Sequence, residues 1–314
     1  MKKPMISVVT PCFNEEENVL PLHEAIKKVF AQLPDYDYEH IYIDNCSQDN
    51  TPALLESIAA SDTRVKIIFN SRNFGHIRSP FHGMLSARGD AVICMSSDFQ
   101  DPPEMIAMFV EKWQQGYKSV LAVKEKSKEN GFVFFLRKLY YRISRSMAEV
   151  SLVENFTGFG LYDRCVVDAM RDMDDPYPYM RGMICEVGFS IATIEFTQPR
   201  RARGITKNNF YTLYDMAMLG ITSNSKVPIR IIAMSGFILA FLSLLVSIVY
   251  LVLKLIMWNA FNAGQAPVLI GLFFFGAVQL CFIGIIGEYI VQILTKVTKR
   301  PLVIEKKRLN FDKE

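Results

Sequence analysis

Residues 91–104 read AVICMSSDFQDPPE, an apolar run that stops at a polar turn carrying Asp98 and Asp101 before two prolines. A carboxylate just past the C-terminal end of a buried strand sits where open α/β sheets bind their ligands. It is also a natural ligand for Mg²⁺ or Mn²⁺ bridging to a diphosphate. Pro102 and Pro103 suit the first turn of a helix, so the segment is expected to run strand, acidic turn, helix. Taken alone it fits a solvated turn as well, and its surroundings have to separate the two readings.

Around this segment the first 125 or so residues alternate short apolar runs with amphipathic stretches. Strands are expected at residues 6–10, 40–44, 65–69, 91–95 and 119–123, and helices at 18–33, 52–60, 77–88 and 103–115. Such alternation implies an α/β fold, a mostly parallel sheet with helices on both faces. Ligands should gather where the loops after Thr10, Asp44 and Met95 meet. His23 and His40 are read as surface residues and His82 as structural.

Half of the 314 residues are hydrophobic, too many for a wholly soluble chain. The excess lies at about 231–253 and 267–294, each longer than the roughly 20 residues that span a bilayer. Two transmembrane helices are therefore expected within 226–296, after a domain at 1–225 and before a basic tail at 297–314. Lys226 and Arg230 precede the first apolar stretch and Lys296, Lys299, Arg300, Lys306, Lys307 and Arg308 follow the second. By the positive-inside rule the domain at 1–225 and both termini are expected to face the cytoplasm, as in a multi-pass inner-membrane protein. Residues 1–10 are too short for a signal peptide.

Residues 131–152 interleave Phe132, Phe134 and Phe135 with Arg137, Lys138 and Arg142. They fit an interfacial helix or a core helix with snorkelling basic residues, and 208–222 fits a second helix beside the membrane. The six cysteines form no CxxC pair and read as packing residues. A net charge of +3 gives no reason to expect nucleic acid. The basic flanks suit membrane lipids.

Four polar loops follow the expected strands: Pro11-Cys12-Phe13-Asn14-Glu15-Glu16, Asp44-Asn45-Cys46-Ser47-Gln48-Asp49, Arg72-Asn73-Phe74-Gly75-His76 and Ser97-Asp98-Phe99-Gln100-Asp101. In this order they resemble the inverting glycosyltransferases of the GT-A (Rossmann-like) fold, above all the polyisoprenyl-phosphate glycosyltransferases. Arg201-Ala202-Arg203-Gly204 with Lys207, and Gly287-Glu288-Tyr289, extend the resemblance over nearly the whole chain.

The resemblance implies a nucleotide-sugar donor, a polyprenyl (undecaprenyl) phosphate acceptor and Mg²⁺ or Mn²⁺. It implies that Pro11, Asn14, Glu16, Asn45 and Asp49 surround the nucleotide, with Asn73, His76, Gln100 and Asp101 on the substrate side. Asp98 would hold the metal, and Arg201 and Lys207 would meet phosphates. A homo-oligomer is left open. The family's Asp-x-Asp is Ser96-Ser97-Asp98 here, its Asp-Gly-Ser is Asn45-Cys46-Ser47, and its Gly-Asp-Phe-Arg is Thr157-Gly158-Phe159-Gly160. Glu186 either replaces the missing acid as a catalytic group or is a solvated side chain. The expected function is transfer of one hexose, with UDP-glucose as a typical donor, to lipid phosphate for surface-polysaccharide modification. An inactive scaffold of the same fold and a processive polysaccharide synthase are the alternatives.

Overall fold

Residues 5–12 read MISVVTPC, and Ile6, Val8 and Val9 are wholly buried on alternate faces. Apolar side chains hidden on both faces require a central strand with a layer on each side. The computed structural model describes residues 3–125, 153–199, 227–257, 265–298 and 300–311, and this segment is its β1 (Met5–Cys12).

β1 pairs in parallel with β2 (Asp37–Asp44) and β4 (Ala91–Cys94), and β2 with β3 (Val65–Asn70). The crossovers are α1 (Val19–Ala31), α2 (Thr51–Ser61) and α3 (Gly75–Ser86), followed by α4 (Met105–Gln114) after β4. The sheet then takes in β5 (Ser119–Lys124), β6 (Phe156–Asp163), β7 (Ile191–Phe196) and β8 (Glu305–Leu309), in the order β7-β5-β6-β4-β1-β2-β3-β8. β6 runs antiparallel to β4 and β5, and β8 antiparallel to β3. Two short helices, α5 (Arg164–Asp172) and α6 (Met180–Glu186), separate β6 from β7.

Strand alternation divides the core in two. Ile6, Val8, Tyr42 and Ile67 pack with α1, α2 and α4 on one face. Val9, Ile41, Ile43 and Ile68 pack with α3, α5 and α6 on the other. Each such aliphatic side chain contributes about 1.5–3 kcal/mol when fully buried. Gly83 lets α3 lie close to the sheet, since a Cβ there would meet Val9 Cγ1 at 2.8 Å.

The structure corrects four expectations. Pro102 and Pro103 lie in the turn before α4, where their carbonyls accept the Met105 and Ile106 N–H groups at 3.1 Å. His23 and His40 are buried, at 4% and 0% exposure. His40 Nε2 lies 3.0 Å from Thr10 Oγ1, and burial lowers the pKa of both histidines. The expected basic tail contains strand β8. There the Ser71 N–H donates to the Ile304 carbonyl at 2.8 Å, and His82 and Glu305 lie 2.5 Å apart. Lys307 binds Glu56 at 2.9 Å, and Asn310 Nδ2 donates to the Ala59 and Val65 carbonyls at 2.7 and 2.8 Å. A charged strand is well suited to a sheet edge.

The apolar stretches form α7 (Val227–Ile256) and α8 (Gln265–Val297), of 30 and 33 residues. Among the described residues one segment, Phe274–Val297, is long and apolar enough to cross a membrane, and α7 holds a shorter apolar stretch, Ile231–Val246. Phe237 and Leu280 are among the large side chains they leave exposed. The expected helices at 131–152 and 208–222 lie outside the described residues.

Candidate active site

β1, β2 and β4 end on one edge of the sheet, and the chain leaves β1 toward β2 on one side while β4 returns on the other. This switch of direction opens a crevice beyond the strand ends. The Met95 N–H donates to the Val9 carbonyl at 3.1 Å and the Asn45 N–H to the Cys12 carbonyl at 2.9 Å, so the loops start in register.

The loops after β1 and β2 are fastened side chain to backbone. Asn14 Oδ1 accepts the Gln48 N–H at 2.8 Å, while the Asn14 N–H donates to Ser47 Oγ at 2.9 Å. Glu16 Oε2 accepts the Asn50 N–H at 2.9 Å, and Asp49 Oδ2 accepts the Glu16 N–H at 3.3 Å. Burial raises Asp49, but hydrogen bonds from Thr51 and Glu16 outweigh it and hold the carboxyl below its ordinary pKa. Asn14, Glu16 and Asp49 are therefore brought together, with these side-chain atoms engaged by the neighbouring loop. Pro11 is half-buried at the end of β1.

Asn45 is 7% exposed and uses its whole hydrogen-bonding capacity. Its Nδ2 donates to Asn73 Oδ1 at 2.9 Å and to the Gly75 carbonyl at 3.2 Å. Its Oδ1 accepts Asn70 Nδ2 at 3.1 Å and the Phe74 N–H at 2.9 Å. An aspartate has no protons for the Gly75 carbonyl, which explains why the family's acid is an amide here. Cys46 follows with φ of +67°, the left-handed conformation that a glycine adopts without strain. His76 is exposed in the first turn of α3.

The loop after β4 is acidic and buried. Asp98 and Asp101 are each 6% exposed, and Ser96 Oγ lies between them, 2.9 Å from Asp98 Oδ1 and 2.8 Å from Asp101 Oδ2. The Ser96 N–H also donates to Asp101 Oδ2 at 2.8 Å, and the Gln100 N–H to Asp98 Oδ1 at 3.2 Å. Burial raises the Asp101 pKa against these bonds, and the charge on Asp98 adds to the rise. The Ser96 hydroxyl can donate to a carboxylate, which a third ionised carboxylate at this position could not do, and it adds no further negative charge to the pair.

No cluster of three His, Cys, Asp or Glu side chains suited to an ion occurs among the described residues. The paired carboxylates nonetheless fit Mg²⁺ or Mn²⁺. These ions take one or two carboxylates and complete their shell with substrate phosphates and water.

Lys124, at the end of β5, was not among the sequence candidates, yet its charge acts on Asp101. Its position one residue past the expected strand, on the ligand edge, was the available signal. Glu186 is exposed at the end of α6, and its neighbour Cys185 contacts the Val153 backbone just ahead of β6. Gly160 explains the loss of the family's arginine, because a Cβ there would lie 2.5 Å from the Val120 carbonyl oxygen. Arg201 and Lys207 lie outside the described residues.

The sequence pattern of the family described as Glycosyl transferase family 2 matches residues 7–173. The bactoprenol glucosyl transferase of Shigella phage SfII is 33% identical over 303 residues, covering 96% of this chain and 97% of that protein. The uncharacterized glycosyltransferase YkcC of Bacillus subtilis is 33% identical over 309 residues, covering 98% of this chain and 94% of its own. Among solved structures, the mannosyltransferase PcManGT from Pyrobaculum calidifontis in complex with GDP-Man and Mn²⁺ has a TM-score of 0.46 at 16% identity, covering 71% of this chain and 63% of that one. With the family pattern over more than half of the chain and relatives matched nearly end to end, this protein belongs to glycosyl transferase family 2 and is a glycosyltransferase of the GT-A fold.

Proposed function

We propose that the protein transfers one hexose from a nucleotide-sugar, of which UDP-glucose is the type, to a polyprenyl phosphate at the cytoplasmic face of the membrane. The observation that carries this reading is a buried acidic turn on the ligand edge, in a chain matched over 96% of its length by bactoprenol glucosyl transferases.

A lipid phosphate is already anionic at neutral pH and needs no strong general base to attack the anomeric carbon. In-line attack inverts that carbon and releases a nucleoside diphosphate. Asp98, with Asp101 beside it, would hold Mg²⁺ or Mn²⁺. The ion would supply positive charge where the departing diphosphate gathers negative charge. Asn45 and the interlocked Asn14, Glu16 and Asp49 would shape a rigid donor pocket, and the charge of Lys124 acts on Asp101. Arg201 and Lys207 are assigned to donor or lipid phosphate from their match to the family.

We read α7 and α8 as a transmembrane hairpin. Support comes from β8, which follows both helices and pairs with β3, which precedes them. A chain that leaves a domain and returns to the same sheet crosses a membrane an even number of times. Residues 226–296 then form the membrane unit, and 1–225 with β8 the cytoplasmic one.

Two measurements test the reading. Membranes containing the protein are incubated with labelled nucleotide-sugars and undecaprenyl phosphate, and a lipid carrying one sugar is expected. Labelled polymer, or no lipid product from any donor, would overturn it. A tag after residue 314 should be shielded in intact spheroplasts and a tag at 262 reachable; the reverse pattern would overturn the orientation.

A further inference from the structure

A cavity of about 340 Å³ opens between α3, α5 and the segment that leaves α8. None of its lining residues belongs to the loops after β1, β2 or β4, so it is separate from the acidic turn and the asparagine cluster. Phe81 and Leu302 provide an apolar wall, while Asp174, Asp175, Lys296 and Arg300 bring both signs of charge to it. Arg171 also lines the cavity, but its guanidinium is held by Asp168 at 2.6 Å and the Leu85 carbonyl at 2.9 Å. Asp175 Oδ2 lies 3.5 Å from Lys296 Nζ, beyond the range of a close hydrogen bond.

We propose that this cavity seats the headgroup of an ethanolamine phospholipid, with its phosphate toward Arg300 and Lys296 and its ammonium toward Asp174 and Asp175. The inference rests on the reading of α8 as a membrane span. Lys296 stands in the last turn of that helix, so the cavity then lies at the level of the headgroups. A purely anionic headgroup would satisfy the two cations and leave two carboxylates facing it. A choline headgroup has the right charges but no N–H, whereas a primary ammonium offers three donors to the carboxylates. The volume is at the lower end for small-molecule sites, matching a headgroup with its glycerol carbons against Phe81 and Leu302.

The full chain is placed in nanodiscs of phosphatidylcholine containing a minority of phosphatidylethanolamine, its N,N-dimethyl derivative or phosphatidylglycerol. Lipids retained after transfer to detergent are counted by native mass spectrometry. Phosphatidylethanolamine should be retained roughly tenfold over phosphatidylcholine, the scale of one charge-assisted hydrogen bond, with the dimethyl lipid between them. Asp174 has φ of +47°, which asparagine tolerates as well as aspartate does. Asp174→Asn should thus stay folded while losing most of the preference, and Arg300→Gln should weaken retention of the lipid itself. Equal retention of the ethanolamine and choline lipids, preference for phosphatidylglycerol, or full preference in Asp174→Asn would overturn the inference alone. A chain that does not enter discs would overturn the membrane reading and this inference with it.

Discussion

The two sides of the ligand crevice are built on opposite plans. On the β1–β2–β3 side, Asn45 has all four of its amide hydrogen bonds made within the protein, and Asn14 and Glu16 cap the backbone of the adjacent loop. On the β4 side, Asp98 and Asp101 are buried beside each other with one hydroxyl between them. Carboxylates accept hydrogen bonds and donate none when ionised, so on the proposed reading a cation would complete this side. One side is then finished before a ligand arrives, and the other would be completed by it. Substitutions on the first should therefore register as stability and on the second as turnover.

The sharpest separation is expected from Asp98→Asn. The side chain keeps its shape and loses its charge, so transfer should fall by roughly 10²–10³-fold, as when one group that stabilises transition-state charge is removed. The thermal unfolding midpoint should stay near that of the parent. Full turnover of this variant in saturating Mg²⁺ or Mn²⁺ would move the chemistry away from the β4 loop.

Asn45→Ala should show the converse. It strips partners from Asn70, Asn73, the Phe74 N–H and the Gly75 carbonyl together, and each buried group left unsatisfied costs about 1–3 kcal/mol. Denaturant unfolding should show a loss of roughly 2–4 kcal/mol within the usual range for a broken buried network. An unchanged midpoint would mean that the asparagine cluster does not hold the donor side together.

Acid should loosen the same side first. Burial holds His40 and His23 below the ordinary histidine pKa, so the unfolded chain takes up protons that the folded one refuses. Their contribution is fully present above about pH 6.5 and is lost as pH falls below it, by up to about 1.4 kcal/mol per pH unit for each histidine. Asp44 and Asp101, raised by burial, act in the opposite sense, since the folded chain holds their protons more tightly than the unfolded one. Unfolding curves at pH 7.5 and 5.5 measure the effect, and His40→Gln should flatten it.

Lys307→Ala marks the lower end. Lys307 and Glu56 are both half-exposed, and such pairs contribute less than about 1 kcal/mol. A larger loss would show that the ion pair, rather than the backbone ladder, holds β8 to β3.

The parallel core was legible in the sequence because its information is local. Apolar runs and amphipathic stretches bounded by Asn, Asp, Gly and Pro locate β1–β5 and α1–α4 to within three residues. The acidic turn was legible for the same reason. The missed features depend on distant partners. Residues 305–309 read EKKRL, which has no strand pattern; their order comes from β3, His82 and Glu56. His40 reads as polar until Thr10 and Tyr42 enclose it. Asn45, Ser96 and Gly160 look like lost functional groups, yet each answers a neighbour: the Gly75 carbonyl, the two carboxylates and the Val120 carbonyl. Lys124 needed the placement of β5 beside the acidic turn.

The pairing of β3 with a strand that follows both long helices sets an order of events during synthesis. While α7 and α8 are still emerging from the ribosome, the outer edge of β3 stands bare, with its N–H and C=O groups open to any passing strand. The sheet closes only once both helices have been made and the chain has come back to the domain it left. Completion of the sheet therefore waits on synthesis of both helices, and a chain stalled before residue 305 presents an unpaired edge to chaperones and proteases.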